Sequence, residues 1–273
     1  MSAAKTASPL QNPLKYRAIF LSDIHLGFKG CQADFLLDFL NRTESEFLYL
    51  VGDIFDGWEM KKKTFWPASH QAVVNAILAK AAKGTRVIYT PGNHDESARH
   101  YCGHRFENIE ISDTAIHITA DARKLLVLHG DQFDSVVKYS PFLAKVGSSM
   151  YSHLLFMNRI INGVRRLVGL PYWSLAAHLK HKVKNVVSYI GKFEEAVVAS
   201  ARLERVQGVV CGHIHHAEIA MFEDVLYCNT GDWVESCTAM VEGHNGALKI
   251  LRWTEDAQRL TSKELGEPAL NAA

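Results

Sequence analysis

Five short motifs of Asp, Asn and His residues recur along the chain, and each directly follows a short apolar run. In chain order they are Asp23-x-His25, Gly52-Asp53-x-x-Asp56, Gly92-Asn93-His94-Asp95, His129-Gly130 and Gly212-His213-x-His215. Their side chains supply oxygen and nitrogen ligands without a thiolate, a set that suits Mn²⁺, Fe or Zn²⁺. Seven candidate ligands exceed the capacity of one tetrahedral ion, which favours two metal ions that share a carboxylate. Such a pair activates water and holds both oxygens of a displacement at phosphorus.

The composition agrees with a metal site in an ordinary globular protein. The chain has 273 residues, of which 48% are hydrophobic and 14 are His, so disorder is excluded and a substantial core is expected. The five Cys residues form no C-x-x-C pair, which argues against a disulfide framework or a zinc knuckle and favours a reducing compartment. Neither a signal-peptide h-region nor an apolar stretch of about 18 residues is present. We therefore expect a cytoplasmic protein.

Buried strands must position these motifs. Apolar runs at 17–22, 47–51, 86–90 and 124–128 are typical of buried strands, and polar residues follow each of them. The segments 32–41 and 69–83 have helical spacing between the strands, so the first half predicts repeated β-loop-α units. Loops at the carboxyl ends of such strands meet at one edge of the sheet. The five motifs are therefore expected to form one pocket.

The middle of the chain differs from both ends. Amphipathic helical patterns occupy 133–192, and a helix at 193–204 and a strand at 208–211 then lead into the last motif. Short strands follow at 217–222, 225–229, 236–241 and 247–253. We predict a loose lead-in at 1–15, a core made of 16–132 and 193–254, a helical cap inserted at 133–192, and a flexible tail at 255–273.

Charge separates the predicted cap from the core. The whole chain has 30 basic and 29 acidic residues, yet 133–192 holds nine Lys and Arg against one Asp. One interpretation is a lid that receives acyl chains and phosphate, or that rests on the cytoplasmic face of a membrane. The alternative is a helical hairpin packed on the core with solvated basic edges. Nucleic acid is a weaker candidate partner because the basic residues lie among apolar ones rather than along a groove of aromatic residues.

The ordered motifs resemble those of the calcineurin-like metallophosphoesterases, whose signature is D-x-H, G-D-x-x-D, G-N-H-[DE], a lone His and G-H-x-H. The resemblance covers roughly 17–132 and 205–250. It implies an α/β/β/α sandwich with the helical cap inserted, and hydrolysis of a phosphoester or pyrophosphate. It also implies two divalent metal ions as cofactors, with Mn²⁺ favoured and Fe, Zn²⁺ or Co²⁺ also compatible.

The resemblance also implies a role for each motif residue. It assigns the ligands of one metal as Asp23, His25, Asp53 and His215, and those of the other as Asp53, Asn93, His129 and His213. It assigns His94 to the leaving-group or phosphate oxygen and Asp95 as the partner that orients it, although Asp95 could instead be a helix N-cap. Asp56 is either part of the site or an acid that anchors its loop. Candidate substrate contacts are Asn93, His94, Asp134, Lys182, Lys184, Asn185 and His216.

Within that superfamily the chain is most similar to the UDP-2,3-diacylglucosamine pyrophosphohydrolases. The shared features are FLSDIHLG at 20–27, YLVGDIFDGW at 49–58, LHGD at 128–131 and the helical insertion. This likeness implies a nucleotide-linked lipid that is split to UMP and a lipid phosphate. The chain has His94 where well-known members have Arg, which keeps open a phosphodiesterase or phosphatase acting on another lipid headgroup, a nucleotide or nucleic acid. A non-catalytic scaffold on the same fold is the alternative from another class.

Overall fold

The computed structural model describes residues 13–134 and 184–257, with positions 159, 162, 163, 165, 166, 169, 170 and 173 between them. At 184–188 only the backbone is described. The strands are β1 (Leu14–Leu21), β2 (Thr43–Val51), β3 (Arg86–Thr90), β4 (Arg105–Phe106), β5 (Ile109–Ile111), β6 (Ala115–Ile118), β7 (Lys124–Val127), β8 (Gly208–Cys211), β9 (Glu218–Phe222), β10 (Val225–Asn229), β11 (Thr238–Glu242) and β12 (Leu248–Arg252). The helices are α1 (Ala33–Arg42), α2 (Gly57–Lys62), α3 (Ala68–Ala82) and α4 (Lys184–Leu203), with 3₁₀ helices at Glu96–Tyr101 and Asp131–Phe133.

The strands form two sheets. The first has the order β12-β11-β1-β2-β3-β5-β4, and the second has the order β6-β7-β8-β10-β9. In the first sheet β1, β2, β3 and β5 run parallel, and in the second β7, β8 and β10 run parallel. Each sheet therefore carries a group of parallel strands whose carboxyl ends share an edge.

Side chains of the central strands alternate between two buried faces, which explains why the apolar runs of these strands are nearly continuous. In β1, Ala18 and Phe20 face the second sheet, and they pack in one cluster with Val127 and Val210. Their neighbour Ile19 belongs to the cluster under α1 and α3 on the opposite face, while α4 covers the second sheet. Because both faces of these strands are buried, both alternating sets must be apolar. The predicted α/β/β/α sandwich is confirmed.

Several boundaries differ from those that the sequence predicts. β1 begins at Leu14 rather than at residue 17, because its first residues already pair with β2. α4 begins at Lys184 rather than at 193, and α2 and β4 to β6 have no counterpart in the sequence prediction. The cap predicted at 133–192 lies mostly outside the described residues, so it stays a prediction. No helix in the described parts of the chain is long and apolar enough to cross a membrane.

The two sheets meet at the edge where the five motifs lie. The backbone N–H of Asp23 donates to the carbonyl of Gly52, and that of Gly212 donates to the carbonyl of His129. The ring of His129 then reaches across from the second sheet, where Nδ1 donates to the carbonyl oxygen of Val51 at 2.9 Å. The first two bonds hold neighbouring motif loops together within each sheet, and the His129 bond joins the two sheets.

Candidate metal centre

The motif side chains converge into groups that could hold metal ions. The ligand atoms within each group lie within 4.8 Å of one another. In the described part of the chain the groups are Asp23 with His25 and His215, His25 with Asp53 and His94, and Asp53 with His129 and His213. The first and third groups correspond to the two ligand sets that the sequence resemblance implies, and the second joins them.

Asp53 occupies the position between these groups. Its Oδ2 lies 3.4 Å from Nε2 of His129 and 3.9 Å from Nε2 of His25. Its Oδ1 accepts a hydrogen bond of 2.8 Å from the backbone N–H of His94. One oxygen is thus held by the loop that carries the third motif, while the other faces a histidine of each candidate metal site. A carboxylate so placed can be shared by two metal ions.

Hydrogen bonds from the scaffold determine which ring atoms face the centre. Because His129 donates from Nδ1 to Val51, its Nε2 is the ring atom that faces Asp53 and the centre. On the other side of the centre, Nε2 of His215 lies 3.2 Å from Oδ1 of Asp23. The second oxygen of Asp23 accepts from the backbone N–H of His213 at 3.0 Å. The last motif is therefore fixed to the first, although 190 residues separate them.

The backbone adopts an uncommon conformation at most of the candidate ligands. A positive φ is uncommon for residues other than Gly and persists only where the surrounding structure enforces it. In the left-handed region lie Asp23 (φ 51°), His25 (φ 55°), Asp53 (φ 53°), His213 (φ 69°) and His215 (φ 54°). Strained backbone is common at binding and catalytic sites, so its concentration at these five residues supports a functional site.

Unsatisfied polar atoms test whether these residues fit metal ions. Buried polar groups nearly always have hydrogen-bond partners, yet this cluster contains several buried atoms that make no hydrogen bond. They are Asp23 Oδ1, His25 Nε2, Asn93 Oδ1, His94 Nδ1, His129 Nε2 and His215 Nδ1. Oxygen and imidazole nitrogen atoms that converge without partners are suitable ligands for divalent cations. The residues present therefore fit the metal ions that the motifs imply.

The electrostatics of the centre favour positive charge. Burial alone lowers the pKa of His129, but the carboxylates of Asp53 and Asp23 and the hydrogen bond to Val51 together raise that pKa to about 10. Burial alone raises the pKa of Asp23, but His215 and His129 together lower that pKa to about 2. In both cases neighbouring groups stabilise the charged form against desolvation. The buried carboxylates thus attract cations, a role that metal ions fill in such sites.

His94 lies beside the centre, and Asp56 holds its ring. Oδ1 of Asp56 lies 3.1 Å from Nδ1 of His94, and its Oδ2 lies 3.1 Å from Nδ1 of His25. The same carboxylate accepts from the backbone N–H of Glu59 at 2.8 Å and so caps α2. The ring of Trp58 also packs against His94, with 4.0 Å between the two ring centroids. Asp56 is therefore both a loop anchor and a member of the site.

Asp95 has a different role from the one expected. Its carboxylate accepts from the backbone N–H groups of Ile54 at 2.7 Å and Gly92 at 2.6 Å, and from the Tyr89 hydroxyl at 2.5 Å. Its side chain makes no capping bond to the 3₁₀ helix that follows. Asp56 rather than Asp95 holds the His94 ring, which corrects the expectation for Asp95. Asp95 instead joins the loops of the second and third motifs.

The candidate substrate contacts are only partly described. Asp134 lies at the centre, where its Oδ1 is 2.8 Å from Nε2 of His213. His216 points to Glu218 at 3.5 Å and is absent from the described ligand groups. Lys182 and the side chains of Lys184 and Asn185 lie outside the described residues, so their substrate contacts stay predictions.

Comparison with known proteins gives a family and several relatives. Residues 16–217 match the family model described as calcineurin-like phosphoesterase. The chain is 26% identical over 227 residues to the UDP-2,3-diacylglucosamine hydrolase of Aliivibrio fischeri (strain MJ11), which covers 79% of this chain and 90% of the relative. A second match, to the UDP-2,3-diacylglucosamine hydrolase of Xanthomonas campestris pv. campestris (strain B100), is 37% identical over 81 residues and covers 28% of this chain and 32% of the relative. Among solved structures, the phosphoesterase Yfce from E. coli has a TM-score of 0.39 at 14% identity, covering 86% of this chain and 98% of that one.

Proposed function

The chain belongs to the calcineurin-like phosphoesterase family, a family of hydrolytic enzymes that use divalent metal ions, and from this we propose that it cleaves the diphosphate of UDP-2,3-diacylglucosamine or a related nucleotide-linked lipid. In this reaction water adds to one phosphorus atom and the bond from that atom to the bridging oxygen breaks. The products are UMP and a lipid phosphate. The predicted scaffold alternative is set aside because the chain retains every ligand of the family signature.

The shared position of Asp53 is the observation that carries the proposal. Its Oδ2 faces both His129 and His25, so one carboxylate serves two groups of ligands. We propose that Asp23, His25, Asp53 and His215 hold one metal ion, and that Asp53, Asn93, His129 and His213 hold the other. Mn²⁺ is the favoured ion for this set of oxygen and nitrogen ligands. When bound, a pair of divalent cations polarises phosphoryl oxygens and makes water more acidic.

The residues around the metal ligands supply acid–base chemistry and shielding. Because Nδ1 of His94 lies 3.1 Å from the Asp56 carboxylate, Nε2 is the atom of that ring that we propose reaches the substrate. In the proposed reaction His94 donates a hydrogen bond or a proton to the oxygen that leaves. The Trp58 ring against His94 keeps bulk water from that side of the imidazole. Asp95 keeps the loops of Asp53 and His94 in register through their backbone N–H groups.

The lipid substrate is supported by similarity over most of the chain. The relative from Aliivibrio fischeri is matched over 90% of its length and is named as a UDP-2,3-diacylglucosamine hydrolase. The basic and apolar residues of 133–192 suit a cap that receives acyl chains and a phosphate. We propose that this segment forms the cap between the two parts of the core, and that it contacts lipid at the inner face of a membrane.

A phosphodiesterase or phosphatase for another lipid headgroup or a nucleotide is the second candidate, and His94 favours it. A phosphate leaving group needs little help from an acid, whereas an alkoxide leaving group must be protonated. An imidazole held by a buried carboxylate is suited to that protonation. His94 is thus more directly useful for ester cleavage than for cleavage of a diphosphate.

Three substrates separate these functions. We would supply UDP-2,3-diacylglucosamine, bis-p-nitrophenyl phosphate and p-nitrophenyl phosphate with Mn²⁺, and measure UMP and p-nitrophenol. We expect UMP release to exceed p-nitrophenol release, and Asp53→Asn to abolish both. Activity on the simple diester without UMP release would reject the lipid substrate and favour the second candidate. Equal turnover by the wild type and by Asp53→Asn would trace the activity to a contaminant and reject the proposed centre.

A further inference from the structure

A surface beside His94 combines exposed lysines with exposed indole rings. Helix α2 ends with Lys61 and Lys62, and Lys63 follows directly. All three side chains are exposed. Trp58 at the start of α2 is 46% exposed and Trp66 is 36% exposed, although large aromatic side chains are usually buried more deeply. Cationic and aromatic residues therefore share one short segment.

A neighbouring loop enlarges this surface. The Nζ atom of Lys29 lies 5.8 Å from the centroid of the Phe65 ring, and the guanidinium of Arg159 donates to the carbonyl of Lys29. Glu59 lies on the same helix and its carboxylate pairs with Lys62 at 2.6 Å, so we leave Lys62 out of the surface defined here. We call this surface the lysine–tryptophan patch, and define it as Lys29, Trp58, Lys61, Lys63, Phe65 and Trp66.

The packing of the aromatic rings favours one type of partner. Trp58 lies against His94 with 4.0 Å between the ring centroids, and Trp66 is stacked on Phe55 at 6.3 Å. One face of each indole is therefore already covered, which leaves less of the ring for stacking with nucleic-acid bases. The exposed parts of these rings, beside lysines, match the side chains that proteins place in the headgroup layer of membranes.

We propose that the lysine–tryptophan patch docks on an anionic lipid surface. Lysines near such a surface are attracted by its negative potential, and indole rings insert at the level of the headgroups. Since Trp58 belongs to the patch and contacts His94, docking brings the candidate metal centre next to the bilayer. The patch consists of described residues outside the predicted cap, and its binding is independent of which phosphate compound the centre cleaves.

Vesicle binding by the full chain tests this proposal. Sedimentation would compare vesicles of phosphatidylcholine with vesicles that contain phosphatidylglycerol, without any substrate. We expect the wild type to bind the anionic vesicles more tightly. The double variant Lys61→Ser/Lys63→Ser should lower the partition coefficient by roughly 10- to 30-fold, from about a fivefold contribution per lysine. Trp66→Ser should lower it without changing the net charge.

Matched controls separate the patch from general charge and from the proposed reaction. The variant Lys124→Ser/Lys249→Ser removes two exposed lysines elsewhere and should bind as the wild type does. Vesicle binding is measured without substrate, so a failure of the proposed function would not affect this test. Lys61→Ser/Lys63→Ser should hydrolyse bis-p-nitrophenyl phosphate as the wild type does. The proposal is overturned if the wild type ignores anionic vesicles, or if both double variants bind equally. Patch-dependent binding to an oligonucleotide without vesicle binding would also overturn it, in favour of nucleic acid.

Discussion

Oδ1 of Asp56 lies 3.1 Å from Nδ1 of His94, while the other oxygen of the same carboxylate lies 3.1 Å from Nδ1 of His25. A single buried side chain thus orients a candidate metal ligand and the candidate acid. Asp56→Asn keeps the shape and can still cap α2, but it loses the charge that both imidazoles face. We expect kcat to fall by about 10- to 100-fold, as for other groups that orient ligands. Turnover of a soluble diester with saturating Mn²⁺ would measure this effect.

The exposed Asp34→Asn provides a control of the same chemistry. Its kcat should equal that of the wild type. An Asp56→Asn enzyme with unchanged kcat would show that the carboxylate only anchors its loop.

Asp53 should be indispensable because its carboxylate faces both groups of ligands. In Asp53→Asn we expect the bound metal per chain to fall and kcat to drop by about 10³-fold or more, a loss of several kcal/mol of transition-state stabilisation. Mn²⁺ at 100 times its Kd should stabilise the wild type by about 2.7 kcal/mol, and should stabilise the variant less. Elemental analysis and thermal unfolding with and without chelator measure these quantities. Full metal content in Asp53→Asn would contradict the shared position, and the exposed Asp224→Asn serves as control.

Gly92 should tolerate no side chain. A Cβ atom there would overlap the Asp53 carboxylate and lie 2.6 Å from Cδ2 of the His129 ring, so both candidate ligands would have to move. We expect Gly92→Ala to lose activity and to unfold with a free energy lower by roughly 1–3 kcal/mol. Denaturant unfolding and diester turnover test it. In Gly191→Ala a Cβ in α4 would meet nothing within 4 Å, so that variant should keep activity; equal behaviour of the two variants would refute the steric argument.

Glu194 should make stability depend on pH. It is 8% exposed, and burial together with the neighbouring Glu218 raises its pKa to about 7. Between about pH 4.5 and 7 the Glu194 carboxyl keeps its proton in the folded chain but loses it in the unfolded chain, where its pKa is about 4.3. This group therefore lowers the free energy of unfolding as pH rises through that range. Glu194→Gln should be more stable than the wild type by roughly 1–3 kcal/mol at pH 8, and by about 1 kcal/mol or less at pH 5. Urea unfolding at both values provides the measurement.

The next residue offers a control for this experiment. Glu195 is exposed on the same helix, and Glu195→Gln should leave the pH dependence unchanged. If the difference in unfolding free energy between Glu194→Gln and the wild type is the same at pH 5 and pH 8, as we expect for Glu195→Gln, burial of Glu194 does not perturb its ionisation.

The convergence of the motifs could be predicted because each one directly follows a buried strand. Asp23 and His213 come from different sheets, yet both follow short apolar strands, and Oδ2 of Asp23 accepts from the backbone of His213 at 3.0 Å. The rule that loops meet at the carboxyl ends of parallel strands is sufficient for that prediction. The apolar runs likewise predict the layers of the sandwich, since a strand buried on both faces must lie between a helix and a second sheet.

Contacts that depend on side-chain direction could not be predicted in the same way. Asp95 adjoins His94 in sequence, but its carboxylate turns to the backbone of Ile54, while Asp56 approaches the ring from another loop. Neighbours in sequence seldom face the same partner, and the partner across a loop depends on register. The strands β4 and β5 were missed because they have only two and three residues, too few to form an apolar run.

The left-handed backbone at Asp23, His25 and Asp53 has a consequence for protein engineering. These conformations are imposed by bonds between loops, such as the one from the N–H of His25 to the carbonyl of Asp53. A designer who grafts only the ligand side chains onto another scaffold would place them on ordinary backbone, where they point elsewhere. The unit that can be transplanted is the set of interlocked loops with their glycines, and the imidazoles and carboxylates come with it.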